Sequence, residues 1–516
     1  MPESARGGAQ ASGETAAAIW GCRRKQIQRV SRPLVKRVQI ASLSLLLGPA
    51  AFAAVAAWPL PSLGGPAKLV LAVAVWMAIW WVTEAVPLAV ASLLPVVLFP
   101  LLDIRGVREV TPNYTNHMVF LFLGGFVLAH AVERSGLHRR LALAALAAMG
   151  GSARRQVWAF LVTTALLSMW LSNTATTLMM LPIALGVAER LDQPRAAVRV
   201  LLAIAFGASI GGVGTLVGTP PNLVLAGMAP RLVPDLPPIG FGDWMLFGLP
   251  VVAVLLPLAG CLLVRGLARD AGSLEAVAEA RRALGPMTTR ERRVAALFAA
   301  TATAWVTRSR LHLGIVEIPG WSSLLPDPKL VSDAVPAIAA TILATVVRAS
   351  PGSKEPLVSW NEAQRSLPWG ILLLFGGGFA LADGVHAAGL DGWLAARLSA
   401  LQSVPLPAAL LAVVAMTAVV TNLTSNTATA TLLLPVMAAL AKVLHAPPYL
   451  LMGATTVAAS CAFVLPVATP PNAIVIGSER VSVRDLFREG LLLNTIAVFA
   501  VTALVLGIGP YVLPAP

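Results

Sequence analysis

The chain has 516 residues, of which 57% are hydrophobic and only 12% charged, and it carries a formal net charge of +14. That is too little charge for a soluble globular surface, and the apolar runs are long enough to cross a bilayer, so the sequence reads as an all-α polytopic membrane protein. Cys22, Cys261 and Cys461 provide neither a disulfide framework nor metal-ligand spacing, which leaves no redox or structural-metal role.

Residues 1–36 are rich in Ala, Gly and Ser and include the basic cluster Arg23, Arg24 and Lys25; they are expected to form a disordered cytoplasmic N-terminus. This cationic stretch is too long for the usual cleavable signal peptide. About eleven crossings are predicted, near 38–58, 68–84, 86–102, 116–136, 198–230, 240–264, 294–307, 332–348, 367–388, 446–477 and 489–511. With that placement 29 of the 38 Lys and Arg lie on the side of the N-terminus and nine on the other. The asymmetry puts the N-terminus in the cytoplasm and, after an odd number of crossings, the C-terminus outside. Basic pairs such as Arg139-Arg140 and Arg281-Arg282 are then topology signals, and nucleic acid is not an expected partner. Residues 266–292, with both charge signs and a helical pattern, form a cytoplasmic linker between a first half, 37–265, and a second half, 293–516.

The two halves are copies. SNTAT occurs at 172–176 and again at 425–429, and TPPN at 219–222 and again at 469–472. FLGGFVLAHAVERSGL at 122–137 matches FGGGFALADGVHAAGL at 375–390 in nine of sixteen positions. The offset is 253 residues for the first and third pairs and 250 for the second, the scale of half a transporter. Five crossings separate equivalent points, so the second copy is inverted.

About fifteen mostly apolar residues precede the first SNTAT and about fourteen follow it. A helix of that length covers roughly 22 Å, short of the roughly 30 Å hydrocarbon thickness. Each SNTAT is therefore predicted at the tip of a re-entrant hairpin, one entering from each side. The paired prolines remove backbone donors and disfavour helix just before them, so two long helices must break at TPPN. Irregular backbone at membrane depth is tolerated where it lines a cavity, and two matched breaks mark a binding site.

No Asp, Glu, Lys, Arg or His occurs in 156–188, 200–230, 403–441 or 446–478. Ser and Thr hydroxyls, Asn amides and freed carbonyls suit a small monovalent cation such as sodium, while Asn N–H groups and helix N-termini suit an anion. Two cation sites flanking one anion site is the reading this composition supports, and proton coupling is disfavoured because nothing there titrates. A single Ser-Asn-Thr in an apolar helix is ordinarily interhelical glue. Two copies, each followed by a paired-proline break, are not explained that way. The Gly-Gly-Phe strings at 124–126 and 377–379 read as close helix packing, and Glu84 in WWVTEAVP as a structural hydrogen-bonding group. No nucleophile beside a base and no acid pair occurs in the polar segments, which argues against an enzyme. A channel would need a continuous polar lining.

The chain resembles the divalent anion:sodium symporter family, which carries dicarboxylates, citrate and in some branches sulfate. The strings that carry the likeness are WWVTEAVPLAVASLLP at 80–95, the glycine-rich run ending at Arg140, both SNTAT strings, GTPPN at 218–222, PWGILLLFGGGFALA at 368–382 and ATPPN at 468–472. The resemblance implies a homodimer in the bacterial inner membrane whose transport domain moves elevator-fashion. It implies one Na+ near Ser168, Ser172, Asn173 and Gly218, and a second near Thr421, Ser425, Asn426 and Ala468. Substrate carboxylates would meet Asn173, Thr174, Thr219 and Pro220 from one half and Asn426, Thr427, Thr469 and Pro470 from the other. Sodium-independent exchange is the alternative, but the basic side chains expected to replace the cation are missing. Thr219 and Thr469, where relatives carry Ser, leave the choice among succinate, malate, citrate and sulfate open.

Overall fold

The computed structural model describes residues 43–514 apart from 61, 150–151, 192, 269–274 and 314–315. The expected disordered tail at 1–36, with Arg23, Arg24 and Lys25, lies outside the described residues. Among the described residues, eight helices are long and apolar enough to span a membrane: Gly65–Thr83, Val107–Ser135, Pro194–Gly212, Phe241–Val264, Trp369–Ala387, Leu406–Leu423, Asn426–Val443 and Val483–Val512. Leu43–Ala57, Leu88–Leu101, Asn173–Ala188 and Ala334–Val346 are apolar but shorter.

One predicted crossing differs in detail. The crossing at 86–102 is interrupted at Ser92, between Leu88–Ala91 and Leu94–Leu101. Pro95 sits in the first turn of the second piece, and the freed Ser92 carbonyl accepts from the Tyr114 hydroxyl at 2.6 Å. Residues 308–333 contain a short antiparallel ribbon, β1 (Leu311–Leu313) and β2 (Val316–Ile318), with Leu311 opposite Ile318. It is anchored by an ion pair between Arg308 and Asp333 and by the Trp321 indole donating to the Ala304 carbonyl at 2.8 Å.

Eight helices build the central region, four from each copy. From the first come α1 (Ala153–Ser168), α2 (Asn173–Ala188), α3 (Pro194–Gly212) and α4 (Pro220–Leu232). Their counterparts are α5 (Leu406–Leu423), α6 (Asn426–Val443), α7 (Pro448–Ser460) and α8 (Pro470–Gly477). Within each copy the first arm packs on the unbroken part of the long helix, α1 on α3 and α5 on α7. Between copies the packing is crosswise: α4 lies against α6 and α7, and α8 against α2 and α3. The halves therefore form one core rather than two separable bundles.

Polar contacts sort into two ends. At one end of the helix Phe241–Val264, the Phe241 amide donates to Asp333 at 2.9 Å; just past the other, Arg265 pairs with Glu489 at 3.2 Å. A helix of 24 residues separates these ends, roughly 36 Å. The base of the first helix–turn–helix is at the Arg265 end, where Arg154 donates to the Leu267 carbonyl at 2.7 Å. The base of the second is at the Phe241 end, where the Tyr449 hydroxyl donates to the Pro237 carbonyl at 2.7 Å. Opposed bases are what an inverted repeat requires.

Arg134 bridges the halves, pairing with Glu355 at 2.7 Å and Glu362 at 2.9 Å. The Arg134 and Arg290 guanidiniums hold the Glu355 carboxyl below its ordinary range, and the Ser359 hydroxyl and amide do the same for Glu362. A depressed folded-state value gives stability that is present above the unfolded carboxylate pKa and lost as pH falls through the folded one. Thermal unfolding of the purified protein should therefore show an acid limb below about pH 4.5, and Arg134→Ala should flatten it. An identical acid limb in the variant would refute this assignment.

Candidate functional site

Each polar tip follows from local chemistry. Ser172 stands in extended backbone as the N-cap of α2, its hydroxyl accepting from the Ala175 amide at 3.1 Å. Ser425 caps α6 in the same backbone conformation but makes no side-chain cap bond, which leaves that tip richer in free donors. Thr219 and Thr469 lie at φ −144° and −142°, the extended backbone that a following proline imposes. Pro220 and Pro470 open α4 and α8, where their missing N–H costs nothing.

Both tips and both breaks meet at one cavity of about 680 Å³, within the size range of small-molecule sites. Ser172, Asn173, Thr174, Gly218, Thr219 and Pro220 line it from the first copy, and Ser425, Asn426, Thr427, Ala468, Thr469 and Pro470 from the second. Ser168 and Thr421 are fully buried behind this wall. Each reaches it through an asparagine: the Ser168 hydroxyl donates to Asn173 Oδ1 at 2.6 Å, and the Thr421 hydroxyl to Asn426 Oδ1 at 2.8 Å. The two bonds are counterparts at the repeat offset. A Cβ on Gly212 would lie 2.8 Å from Asn173 Oδ1 and 3.2 Å from the Gly218 carbonyl oxygen, so these oxygens crowd one small volume. Neither Asn173 Nδ2 nor Asn426 Nδ2 donates to any described residue.

The N-termini of α2, α4, α6 and α8 converge on the cavity. Their dipoles favour negative charge there. Paired prolines strip the first N–H groups from α4 and α8, so those helices supply field while α2 and α6 supply donors.

Two residues that the sequence reading left out of the site hold the breaks together. Asn222 Nδ2 donates to the carbonyls of Gly212 at 3.0 Å and Thr215 at 2.7 Å. Asn472 Nδ2 donates to those of Ala462 and Leu465, both at 3.0 Å. The positions differ by the same 250 residues throughout. Trp244 braces the first break, its indole donating to the Val213 carbonyl at 2.8 Å. Its counterpart Asn494 braces the second through Asn422, whose Oδ1 accepts from the Val464 amide at 2.9 Å. The duplicated Asn of TPPN was the available signal.

Glu84 does not play the structural role expected of it. It lines the cavity, lies at φ 49° where the chain turns after the helix Gly65–Thr83, is exposed, and has no hydrogen-bond or ion-pair partner among the described residues. It is the one ionisable side chain on the described wall.

The Gly-Gly-Phe strings pack as predicted. A Cβ on Gly124 would lie 2.5 Å from Ala337 backbone, and one on Gly377 2.4 Å from the Ser92 carbonyl oxygen. Phe122 and Phe126 also form part of the cavity wall.

Residues 78–454 match the citrate transporter family, CitMHS. The chain belongs to this family. It is 35% identical over 490 residues to the sodium-dependent dicarboxylate transporter SdcS of Staphylococcus saprophyticus, covering 91% of this chain and 92% of that protein. It is 37% identical over 461 residues to SdcS of Staphylococcus aureus, covering 86% of each. Among solved structures, the YdaH transporter of Alcanivorax borkumensis, described as having an unusual topology, superposes with a TM-score of 0.53 at 17% identity. That match covers 79% of this chain and 89% of the other and speaks to fold alone. In this citrate transporter family member, the resemblance carried by the SNTAT and TPPN strings is thereby established.

Proposed function

We propose that the protein is a sodium-coupled secondary transporter of small divalent anions, four-carbon dicarboxylates in particular. The observation that carries this is the pair of matched clusters, Ser168 with Asn173 and Thr421 with Asn426, set in one cavity whose motif segments bear no charge. The relatives named above are sodium-dependent dicarboxylate transporters, which supports the same reading.

The chemistry of coupling lies in the asparagines. Each Oδ1 faces a buried hydroxyl and, in the first copy, the Gly218 carbonyl region, an oxygen-rich setting for Na+. Each Nδ2 remains for a substrate carboxylate. One amide thus serves both ions: a cation drawing on Oδ1 polarises the group and strengthens its N–H donors. The cations also offset the negative charge of the dicarboxylate, which uncharged groups alone would hold poorly away from water. Ser172, Gly218, Ser425 and Ala468 would complete the cation sites. Thr174, Thr219, Thr427 and Thr469, with Pro220 and Pro470 shaping the wall, would complete the anion site.

Opposed hairpins on a shared core suit movement of the whole site across the bilayer, elevator-fashion, in a homodimer in the bacterial inner membrane. Exchange without sodium is less favoured, since it would require a fixed positive charge where the wall carries none. Uptake of radiolabelled succinate into proteoliposomes, with and without an inward sodium gradient, tests the proposal. Sodium should stimulate uptake at least tenfold. Uptake indifferent to sodium but stimulated by internal dicarboxylate would establish exchange instead.

A further inference from the structure

We propose that Asn222 and Asn472 are positioning residues that set the protein's affinity for the coupling cation. This rests on the sodium-coupled reading above and extends it to two side chains outside the expected ligand set.

A broken helix frees carbonyl oxygens, and free carbonyls repel one another and wander unless something gathers them. In each break one fully buried asparagine does the gathering. Asn222 Nδ2 takes the carbonyls of Gly212 and Thr215, at the two ends of the first turn of unwound chain. Asn472 Nδ2 takes those of Ala462 and Leu465 in the same relation. The amide is a staple across the break, reproduced in the second copy residue for residue.

The other half of each amide shows what the staple is worth. Asn222 Oδ1 and Asn472 Oδ1 are both buried and both lack any hydrogen-bond partner. A buried acceptor left unpaired opposes folding. Reversing the amide would set Oδ1 against carbonyl oxygens, so the donor end is fixed by its surroundings. That the same unpaired oxygen is tolerated at both matched positions argues that the donor work is what this fold retains.

In the first copy the stapled Gly212 lies beside the proposed cation cluster. A Cβ on Gly212 would sit 2.8 Å from Asn173 Oδ1, and one on Gly218 would sit 2.5 Å from the Gly212 carbonyl oxygen. Loosening the Gly212–Thr215 staple therefore disturbs the oxygen geometry that a cation reads, while the tip groups offered to the anion, on α2, stay capped by Ser172. Asn222 and Asn472 act through the loop and are not themselves counted as ligands.

The test is sodium-dependent dicarboxylate uptake in proteoliposomes by full-length Asn222→Ala and Asn472→Ala, with matched Asn222→Ser and Asn472→Ser variants. The half-saturating sodium concentration should rise about tenfold in the alanine variants, and KM for succinate at saturating sodium should stay within about twofold. The serine variants, which keep one donor, should fall between alanine and wild type. Sodium-induced thermal stabilisation of the purified protein should shift to higher sodium in the same order; this needs no transport and uses the serine variants should an alanine variant fail to fold. Reduced maximal uptake with an unchanged sodium midpoint would mean a purely structural role and overturn the proposal, as would a shift confined to succinate KM. Wild-type uptake without sodium dependence would instead defeat the underlying functional reading.

Discussion

Alanine at Asn173 or at Asn426 is expected to abolish sodium-driven uptake while leaving a folded protein. Each side chain faces a buried hydroxyl through Oδ1 and lines the cavity, so on the proposed reading truncation removes an oxygen from the proposed cation site and a donor from the proposed anion site together. Two interactions with charged partners at about 1.5–3 kcal/mol each amount to a loss of about 10² to 10⁴ in the transported complex. Folding should suffer less. The hydroxyls of Ser168 and Thr421 can turn elsewhere, Thr421 already reaching the Ala459 carbonyl. Succinate uptake, with monodispersity in detergent as the control for folding, checks this. Near-normal uptake by either variant would mean that its tip serves packing alone. Equal losses at both positions are expected because the two clusters are counterparts, and a loss at one only would show that a single half does the binding.

Gly212→Ala should raise the sodium requirement about tenfold or more, whereas Gly211→Ala, one residue earlier, should fail to fold. The difference lies in what each added methyl meets. At Gly212 it lies 2.8 Å from Asn173 Oδ1, the end of a side chain that can swing aside and lose its place in the proposed cation site. At Gly211 it lies 2.1 Å from the Ala165 carbonyl oxygen and 2.5 Å from the Ala165 Cα, backbone of α1 where it packs against α3. Neither helix can withdraw without breaking that contact, and overpacking of a core typically costs about 1–3 kcal/mol or more. Yield of folded protein and the sodium dependence of uptake separate the two cases. A Gly212→Ala protein with a wild-type sodium midpoint would show that the cation lies elsewhere.

The asymmetries between copies carry information that the matching strings conceal. The arms of the first helix–turn–helix have 16 residues each and those of the second 18, so the second pair reaches spanning length and the first does not. Two added residues lengthen each second arm by roughly 3 Å, a difference the tip motifs do not reveal.

What the sequence settled by itself is what local rules control. Apolar run length set the membrane class. Proline's missing donor and the extended backbone it imposes on Thr219 and Thr469 placed both helix breaks, and matched strings 250 residues apart gave the duplication. The residues that line the cavity were legible because they sit within these local features. Tertiary structure decided the rest, because partners that arrive from distant segments leave no local trace. The staples of Asn222 and Asn472, the brace of Trp244, the crosswise seating of α4 and α8, and the unpartnered Glu84 on the cavity wall all depend on which element comes alongside. A buried amide is defined by the carbonyls that fold around it, and only the packed chain brings them there.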